Sequence, residues 1–171
     1  MPSFPPDRDW GKAHPLLRPR YEKLNKALLE GHGIALWVGE IFRSDERQQW
    51  LYAQGRTAAD CLAKGIRPEW ARPGPVVTNA WSARTSAHGH TSNGNPSACA
   101  IDVVPLGADG RPWTKDDDWD KFVQLTTDGG SVGFDCGLVH FHRPGVAVWD
   151  KPHLQLVEWF DSIHDLRFAK G

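Results

Sequence analysis

The sequence is poor in cysteine, in long apolar runs and in net charge, and each shortage argues against a class of protein. Its three cysteines are odd in number, widely spaced and never arranged as CxxC, which argues against a disulfide framework and a cysteine-built zinc knuckle. No apolar run approaches the roughly 20 residues of a membrane-spanning helix. A net charge of −1, with both signs interspersed, gives no electrostatic footprint for nucleic acid. We therefore expect neither nucleic acid nor a membrane span.

The start of the chain also lacks the features of a secretory signal. Residues 1–7 have neither a basic start nor an apolar core, so we expect synthesis in the cytoplasm and, for any action outside, release by another route. Four prolines among residues 1–15 predict an irregular leader. A composition of 40% apolar and 24% charged residues over 171 positions is typical of one globular domain, here 1–171, which we expect to be a monomer.

Apolar residues at helical spacing, together with capping residues, predict the helices. In the first of them, apolar residues recur on one helical face from Leu17 to Leu28. A serine or threonine followed by acidic residues predicts where a helix starts, and a glycine predicts where it ends. The predicted helices are 17–28, ended by Gly31 and Gly33; Ser44 to about Ala53; a short helix from Thr57 that Gly65 stops; one capped by Thr114 and ended by Gly129 and Gly130; and 157–168.

Runs of β-branched and other apolar residues predict the strands. Residues 34–42 and 100–104 are the clearest, 138–141 and 153–156 are shorter, and 76–81 is expected to be extended. Stretches rich in glycine, proline and small polar residues predict loops at 67–75 and 89–97 and a turn at 107–112. Without an internal repeat or a linker, these elements predict a single α+β domain.

Eight histidines make a metal site plausible, but their spacing alone does not select the ligands. A catalytic zinc site needs three protein ligands and one open position for water. His140 and His142 are two residues apart, so on a strand they would face the same side, and His88 and His90 form a similar pair. The spacing alone therefore does not decide which of these histidines would bind the metal.

Several short motifs follow one another between residues 42 and 156. Phe42-Arg43-Ser44 precedes Gln48 and the run LYAQGRT at 51–57, and PVVTNA at 75–80 precedes Ser86-Ala87-His88. Ala100-Ile101-Asp102, GFDCG at 133–137 and DKPHLQL at 150–156 come next. In this order the motifs resemble those of the zinc D-alanyl-D-alanine carboxypeptidase and L-alanyl-D-glutamate endopeptidase family, and most closely its bacteriophage endolysin branch.

The resemblance implies a fold, a metal site and a role for each matching residue. The fold would be a small antiparallel sheet flanked by helices, as in hedgehog-type and D-Ala-D-Ala peptidase domains. One Zn²⁺ per chain would be held by His88, Asp102 and His153. Asp150 would be the general base, and later the proton donor to the leaving amine, while Arg43 would stabilise the oxyanion. Gln48 and Ser86 would line the site as supporting or substrate-contacting groups.

The chain departs from the family pattern in two places. His88 and Asp102 are separated by 13 residues, 89–101, rich in small polar residues, where the family has a short spacing. A longer loop costs little closure entropy, so the ligands can still meet, but His90 could take the place of His88, and the thiolate of Cys99 could compete for zinc. The segment after Gly137 also differs, and it would shape the substrate pocket.

The function implied by the resemblance is hydrolysis of an amide bond in the stem peptide of bacterial peptidoglycan. The endolysin branch favours L-alanyl-D-glutamate as the scissile bond, with D-alanyl-D-alanine carboxypeptidase or dipeptidase activity as the alternative. A non-catalytic wall-binding module is an alternative of another class. Such a module would lack at least one of the three metal ligands or the base, whereas this sequence has a suitable residue at all four positions. A phage or prophage lysin, made without a signal and released to the wall, fits the lack of a secretory signal.

Overall fold

An antiparallel sheet forms the centre of the fold in the computed structural model, which describes residues 4–127, 131–140 and 150–159. The spatial order of its strands is β1-β4-β6-β5, and β2 and β3 form a separate hairpin. The α+β class with a small antiparallel sheet is thereby confirmed. The strands are β1 (Ala35–Glu40), β2 (Thr91–Ser92), β3 (Asn95–Pro96), β4 (Ala100–Leu106), β5 (Leu138–Val139) and β6 (His153–Leu156).

The described part of the chain has five α-helices, of which the second and third pack in a separate apolar cluster with Ile66 and Trp70. The first buries Leu17, Leu24 and Leu28 completely, and each buried leucine contributes about 1.5–3 kcal/mol of transfer free energy. These side chains share one core with residues of β1, β4 and β6, so the helix covers one face of the sheet. The helices are α1 (Leu17–His32), α2 (Asp45–Ala53), α3 (Ala58–Leu62), α4 (Asp116–Thr126) and α5 (Val132–Cys136).

The predicted helix boundaries are largely confirmed, with two corrections. Ser44 caps α2, and Thr57 forms a capping box at α3. Gly31 does not end α1, because only Gly33 takes the left-handed conformation, with φ of 67°. Thr114 does not cap α4, which begins after Lys115 without a side-chain cap. Gly129 and Gly130 lie outside the described residues, as does most of the predicted helix 157–168.

Other predicted segments differ from the structure in detail. The stretch 76–81 forms no regular strand, and the loop 67–75 contains a 3₁₀ turn at Pro68–Trp70 whose Trp70 is buried. Helix α5 was not predicted. The polar loop 89–97 contains the exposed hairpin β2–β3, with the left-handed residues Asn93 and Gly94 at its turn.

The described part of the leader, residues 4–15, contains a 3₁₀ turn at Trp10–Lys12 and lies beside the sheet. Asp7 bridges to Phe42, and the amide of His14 donates to the carbonyl of Ala98 at 2.8 Å. Three buried cysteines carry free thiols, so the described residues contain no disulfide. No helix in the ranges 4–127, 131–140 and 150–159 has the length and apolar character needed to cross a bilayer.

Candidate metal centre

The register of the sheet places three polar side chains in one row. In β4, Asp102 pairs with His153 of β6 on one side and with Glu40 of β1 on the other. The pairing with β1 shifts by one residue between Val38 and Glu40, where the strand carries a β-bulge. Because directly paired residues face the same side of a sheet, the bulge turns Glu40 onto the face that carries Asp102.

His88 reaches this row from a 3₁₀ turn, Ala87–Gly89, rather than from a strand. The amide of Arg43 donates to the carbonyl of His88 at 3.2 Å, and the amide of Cys99 donates to the carbonyl of Ala87 at 2.9 Å. Ser86 caps the turn by accepting the amide hydrogen of His88 at 3.3 Å. The turn is thus fixed both to the segment after β1 and to the start of β4, and His88 is completely buried.

One donor atom each from His88, Asp102 and His153 converges on a single point. The His88 Nε2 lies 2.9 Å from the Asp102 Oδ1 and 3.0 Å from the His153 Nδ1, and the last two atoms are 3.4 Å apart. Ligands of a tetrahedral zinc at about 2.0–2.1 Å are separated by about 3.3 Å. The three atoms therefore need only a small outward movement to hold the ion.

The opposite ring nitrogens of both histidines support this arrangement. His88 Nδ1–H donates to the carbonyl of Ile41 at 2.7 Å, which leaves the Nε2 lone pair directed at the centre. His153 presents Nδ1 to the centre, with its Nε2 3.4 Å from the Gln155 Oε1. The side chains of Asp102 and His153 keep 17% and 15% of their surface exposed, whereas that of His88 keeps none. The donor set fits zinc and stays open to solvent on one side, as a catalytic site requires.

The electrostatics of the cluster favour a charged carboxylate beside a neutral His88. Burial, together with the positive charge of Arg43, lowers the pKa of His88. Burial opposes ionisation of Asp102, but the adjacent rings of His88 and His153 and the positive charge of Arg43 hold the pKa of Asp102 well below the usual range. Burial also opposes protonation of His153, but the bond and charge of Asp102, with the charge of Asp150, raise the pKa of His153. A metal ion would have to displace that proton.

Arg43 is buried beside the cluster and is held by carboxylates on two sides. Its Nε donates to the Glu40 Oε2 at 2.7 Å, and its Nη2 donates to the Asp102 Oδ2. The other oxygen of Glu40 accepts from Arg47 Nε at 2.8 Å. The sequence did not predict Glu40 and Arg47 as neighbours of the site. The bulge that turns Glu40 inward is marked in the sequence only by Gly39, and a single glycine is too weak a signal to predict a bulge. The predicted oxyanion role of Arg43 remains a prediction.

Asp150 lies at the turn that leads into β6, next to the cluster. Its backbone carbonyl accepts the amide hydrogen of His153 at 3.1 Å. Burial raises the pKa of Asp150, and the negative charge of Asp102 adds to this effect, while the positive charges of His153 and Arg43 oppose it. A carboxylate with a raised pKa is a better proton acceptor for catalysis near neutral pH.

Gln48 and Ser86 are both buried, and their contacts in the structure are with the protein. Gln48 donates to the carbonyl of Ala80 at 2.7 Å and lies 3.4 Å from the Thr78 hydroxyl, while its Oε1 is buried without a partner among the described residues. It thereby fixes the segment that precedes the His88 turn. Direct contact of Gln48 and Ser86 with substrate remains a prediction.

The alternative ligands considered from the sequence lie elsewhere. His90 directs Nδ1 at the carbonyl of Ser97 at 2.9 Å, and its ring packs on Trp159 at 4.6 Å. The Cys99 thiol lies 3.5 Å from His90, and burial raises the pKa of Cys99 to about 11, which disfavours a thiolate ligand. The ring nitrogens of buried His140 contact the Thr126 hydroxyl and the Lys151 carbonyl, and His142 lies outside the described residues. Within the described ranges, the only group with metal-ligand geometry is His88, Asp102 and His153.

Gly89 permits the close packing of the His88 turn, which gives a testable prediction. A Cβ at this position would lie 2.4 Å from the Cβ and the carbonyl oxygen of Ala83. We expect Gly89→Ala to lower the free energy of unfolding by about 1–3 kcal/mol, measured by denaturant titration, and to weaken zinc binding. The control is Gly31→Ala in α1, where a Cβ meets nothing within 4 Å, so that stability should rise slightly. A Gly89→Ala protein as stable as the parent would contradict the packing described here.

Comparisons with known proteins add little to this geometry. No family model matches the chain, and no curated protein matches it. Among solved structures, the chain is similar to a mutant of the vancomycin resistance D,D-pentapeptidase VanY, from a VanB-type resistance cassette, in complex with Zn(II). The two are 19% identical, the match covers 82% of this chain and 70% of that chain, and the TM-score is 0.41. With a TM-score of this size, function has to be argued from the site itself.

Proposed function

We propose that this protein is a zinc-dependent peptidase that hydrolyses an amide bond in the stem peptide of bacterial peptidoglycan. The observation that carries the proposal is the convergence of one donor atom each from His88, Asp102 and His153 to within 3.4 Å of one another, with Asp150 at the adjacent turn. These four residues come from three separated segments and occupy the positions at which the chain resembles zinc peptidases of the cell wall. A purely structural role would not require a ligand set that is open on one side.

The metal would be held by His88 Nε2, Asp102 Oδ1 and His153 Nδ1. When bound there, zinc lowers the pKa of a water molecule and polarises the carbonyl group of the scissile amide. The hydrogen bond from His88 to Ile41 keeps one ligand in the required tautomer. The Oδ2 of Asp102 accepts a hydrogen bond from Arg43, and its Oδ1 faces the centre.

Asp150 and Arg43 would carry the proton transfer and the charge stabilisation. Asp150 takes a proton from the attacking water and returns it to the leaving amine, a task suited to a carboxylate whose pKa is raised. Arg43 is always cationic and has five donor hydrogens, of which its contacts with Glu40 and Asp102 use only some. Its fork can therefore stabilise the negative oxygen that develops on the substrate carbonyl.

The scissile bond proposed is L-alanyl-D-glutamate, because the motifs resemble the endolysin branch more closely than the carboxypeptidases. Cleavage between two D-alanines has comparable support, because the chain departs from the family after Gly137, where the substrate pocket would be shaped. The protein would reach the wall after release from the cytoplasm, as a phage or prophage lysin does. The products of the reaction decide which of the two bonds is cut.

The test is a digest of purified peptidoglycan, with the soluble products identified by mass spectrometry. We expect fragments that begin at D-glutamate, which disappear after treatment with a chelator and return when zinc is added. Release of D-alanine or of its dipeptide would instead assign the carboxypeptidase reaction to the same site. A zinc-loaded protein that yields no product from walls of several chemotypes would overturn the peptidase proposal in favour of a wall-binding module.

A further inference from the structure

A buried histidine outside the metal cluster attaches the turn of Asp150 to the helical layer. The Nε2 of His140 lies 2.6 Å from the carbonyl oxygen of Lys151, and its Nδ1 lies 2.6 Å from the hydroxyl oxygen of Thr126 in α4. His140 keeps only 3% of its surface exposed, and Thr126 keeps none. The contact therefore links α4 to the residue immediately after Asp150.

The direction of these hydrogen bonds follows from the acceptor. A backbone carbonyl only accepts, so the Nε2 of His140 must carry the hydrogen that Lys151 receives. The Nδ1 then faces the Thr126 hydroxyl, whose single hydrogen lies between this nitrogen and the carbonyl oxygen of Phe122 at 2.7 Å. The ring also packs edge-on against Phe122 at 5.4 Å, and the His140 amide donates to the Thr126 carbonyl at 2.9 Å. The ring has one orientation, and its donor points at the turn.

The attachment matters because the turn is short and bears two functional groups. Lys151 follows Asp150 directly and precedes His153 by two residues. The turn is closed by the hydrogen bond from the His153 amide to the Asp150 carbonyl, and the Pro152 carbonyl accepts from the amide of Val103 in β4 at 2.9 Å. A displacement of the Lys151 carbonyl would therefore move both the carboxylate and the ligand ring.

A second link between the turn and α4 is exposed to solvent. The Lys151 ammonium group lies 2.8 Å from a carboxylate oxygen of Asp120 and 3.3 Å from one of Asp116, and both acidic side chains are well exposed. Exposed ion pairs contribute little to stability. Among the described residues, the buried bond from His140 is the stronger tie between α4 and the turn.

We propose that His140 is a positioning residue, whose hydrogen bond to the Lys151 carbonyl holds the Asp150–His153 turn in the geometry that places Asp150 beside the ligand His153. It touches neither metal nor substrate. Its effect on hydrolysis rests on the peptidase function proposed above, whereas its effect on the turn and on metal affinity does not. His140 is thus distinct from the proposed ligands and from the proposed base.

The test compares two substitutions that differ in the hydrogen bond. His140→Leu removes the donor, while His140→Gln replaces it with an amide that can reach the Lys151 carbonyl. The first readout is hydrogen exchange of the His153 amide in the metal-free protein. We expect exchange about five- to tenfold faster in His140→Leu, as loss of one buried hydrogen bond implies, and close to the parent in His140→Gln. Phe122→Leu is the control for a general loosening of α4.

The second readout is zinc affinity, measured by competition with a chromogenic chelator. We expect about a tenfold loss in His140→Leu, at the lower end of what outer groups contribute to metal sites, with recovery in His140→Gln. In hydrolysis, kcat should fall and KM should stay near the parent value. If His140→Leu does not fold, Thr126→Val serves instead, with a smaller change in the same direction because it removes only the partner of Nδ1.

Two results would overturn the proposal. One is exchange of the His153 amide in His140→Leu no faster than in Phe122→Leu, which would make the effect one of packing. The other is unchanged zinc affinity in a protein whose turn exchanges faster. If the parent protein hydrolyses no peptidoglycan, the exchange and affinity measurements still decide the role of His140, so that failure of the proposed function is recognised separately.

Discussion

Replacing Asp150 with asparagine is expected to lower kcat by about 10²- to 10⁴-fold, the range that a positioned general base contributes. Asparagine keeps the shape of the side chain but cannot accept the proton of the attacking water. Because Asp150 is not one of the three proposed ligands, zinc should still bind. The backbone bond from the His153 amide to the Asp150 carbonyl is also retained. The measurement is the steady-state rate on a soluble stem peptide, with the bound zinc quantified in the same sample.

The matched control for this experiment is Asp135→Asn. Asp135 lies exposed on α5, so its replacement removes one carboxylate from the protein without altering the turn before β6. We expect its rate to equal that of the parent. An Asp150→Asn protein that holds zinc and turns over at the parental rate would remove Asp150 from the mechanism and leave the role of base to another group.

Replacing His88 with asparagine is expected to abolish zinc binding under conditions that saturate the parent. The amide nitrogen of asparagine can occupy the position of Nδ1 and donate to the Ile41 carbonyl, so the buried acceptor remains satisfied. The lost atom is Nε2, which lies 2.9 Å from Asp102 and 3.0 Å from His153. Removal of a direct ligand should cost more than the about 10- to 100-fold that loss of an outer partner costs. Zinc affinity and activity should therefore fall together.

His90→Asn distinguishes the two histidines that the sequence left as alternatives. Its Nδ1 faces the carbonyl of Ser97, and asparagine can keep that contact as well. We expect this variant to bind zinc with parental affinity, measured by isothermal titration of the metal-free protein. Loss of zinc in His90→Asn with retention in His88→Asn would reverse the ligand assignment and place the hairpin residue in the site.

The sequence predicted those parts of the fold that depend on neighbouring residues. Periodicity and caps located α1, α2 and α3, because the apolar face and the capping side chains lie within a few positions of each other. Helices α3 and α5 both have five residues, too few to display a helical period, and α5 was missed because its capping residue Ser131 was not recognised as Thr57 was. The cap of α4 was misplaced because Thr114 has a favourable side chain, yet the chain turns into the helix one residue later.

The candidate site was predictable only where a motif already linked distant segments. His88, Asp102 and His153 were selected by their order along the chain, and the structure brings them together. Glu40 was not predicted, because its inward direction depends on a bulge opposite Asp102, 62 positions away in sequence. The same applies to His140, whose partners lie in α4 and in the turn before β6. Such contacts require the register of the sheet, which periodicity does not supply.

The hairpin between the first two proposed ligands has a consequence for how such sites are recognised. The chain leaves the core at His90 and returns at Ser97, whose amide donates to the His90 carbonyl at 2.9 Å, and the next amides bond to Lys12 and Ala87. The two ends are therefore fixed by the core and not by the residues between them. A sequence pattern that fixes the number of residues from His88 to Asp102 therefore depends on the length of an exposed hairpin that does not position either residue. A description by strand partners and hydrogen-bonded neighbours would recognise the same site at any loop length.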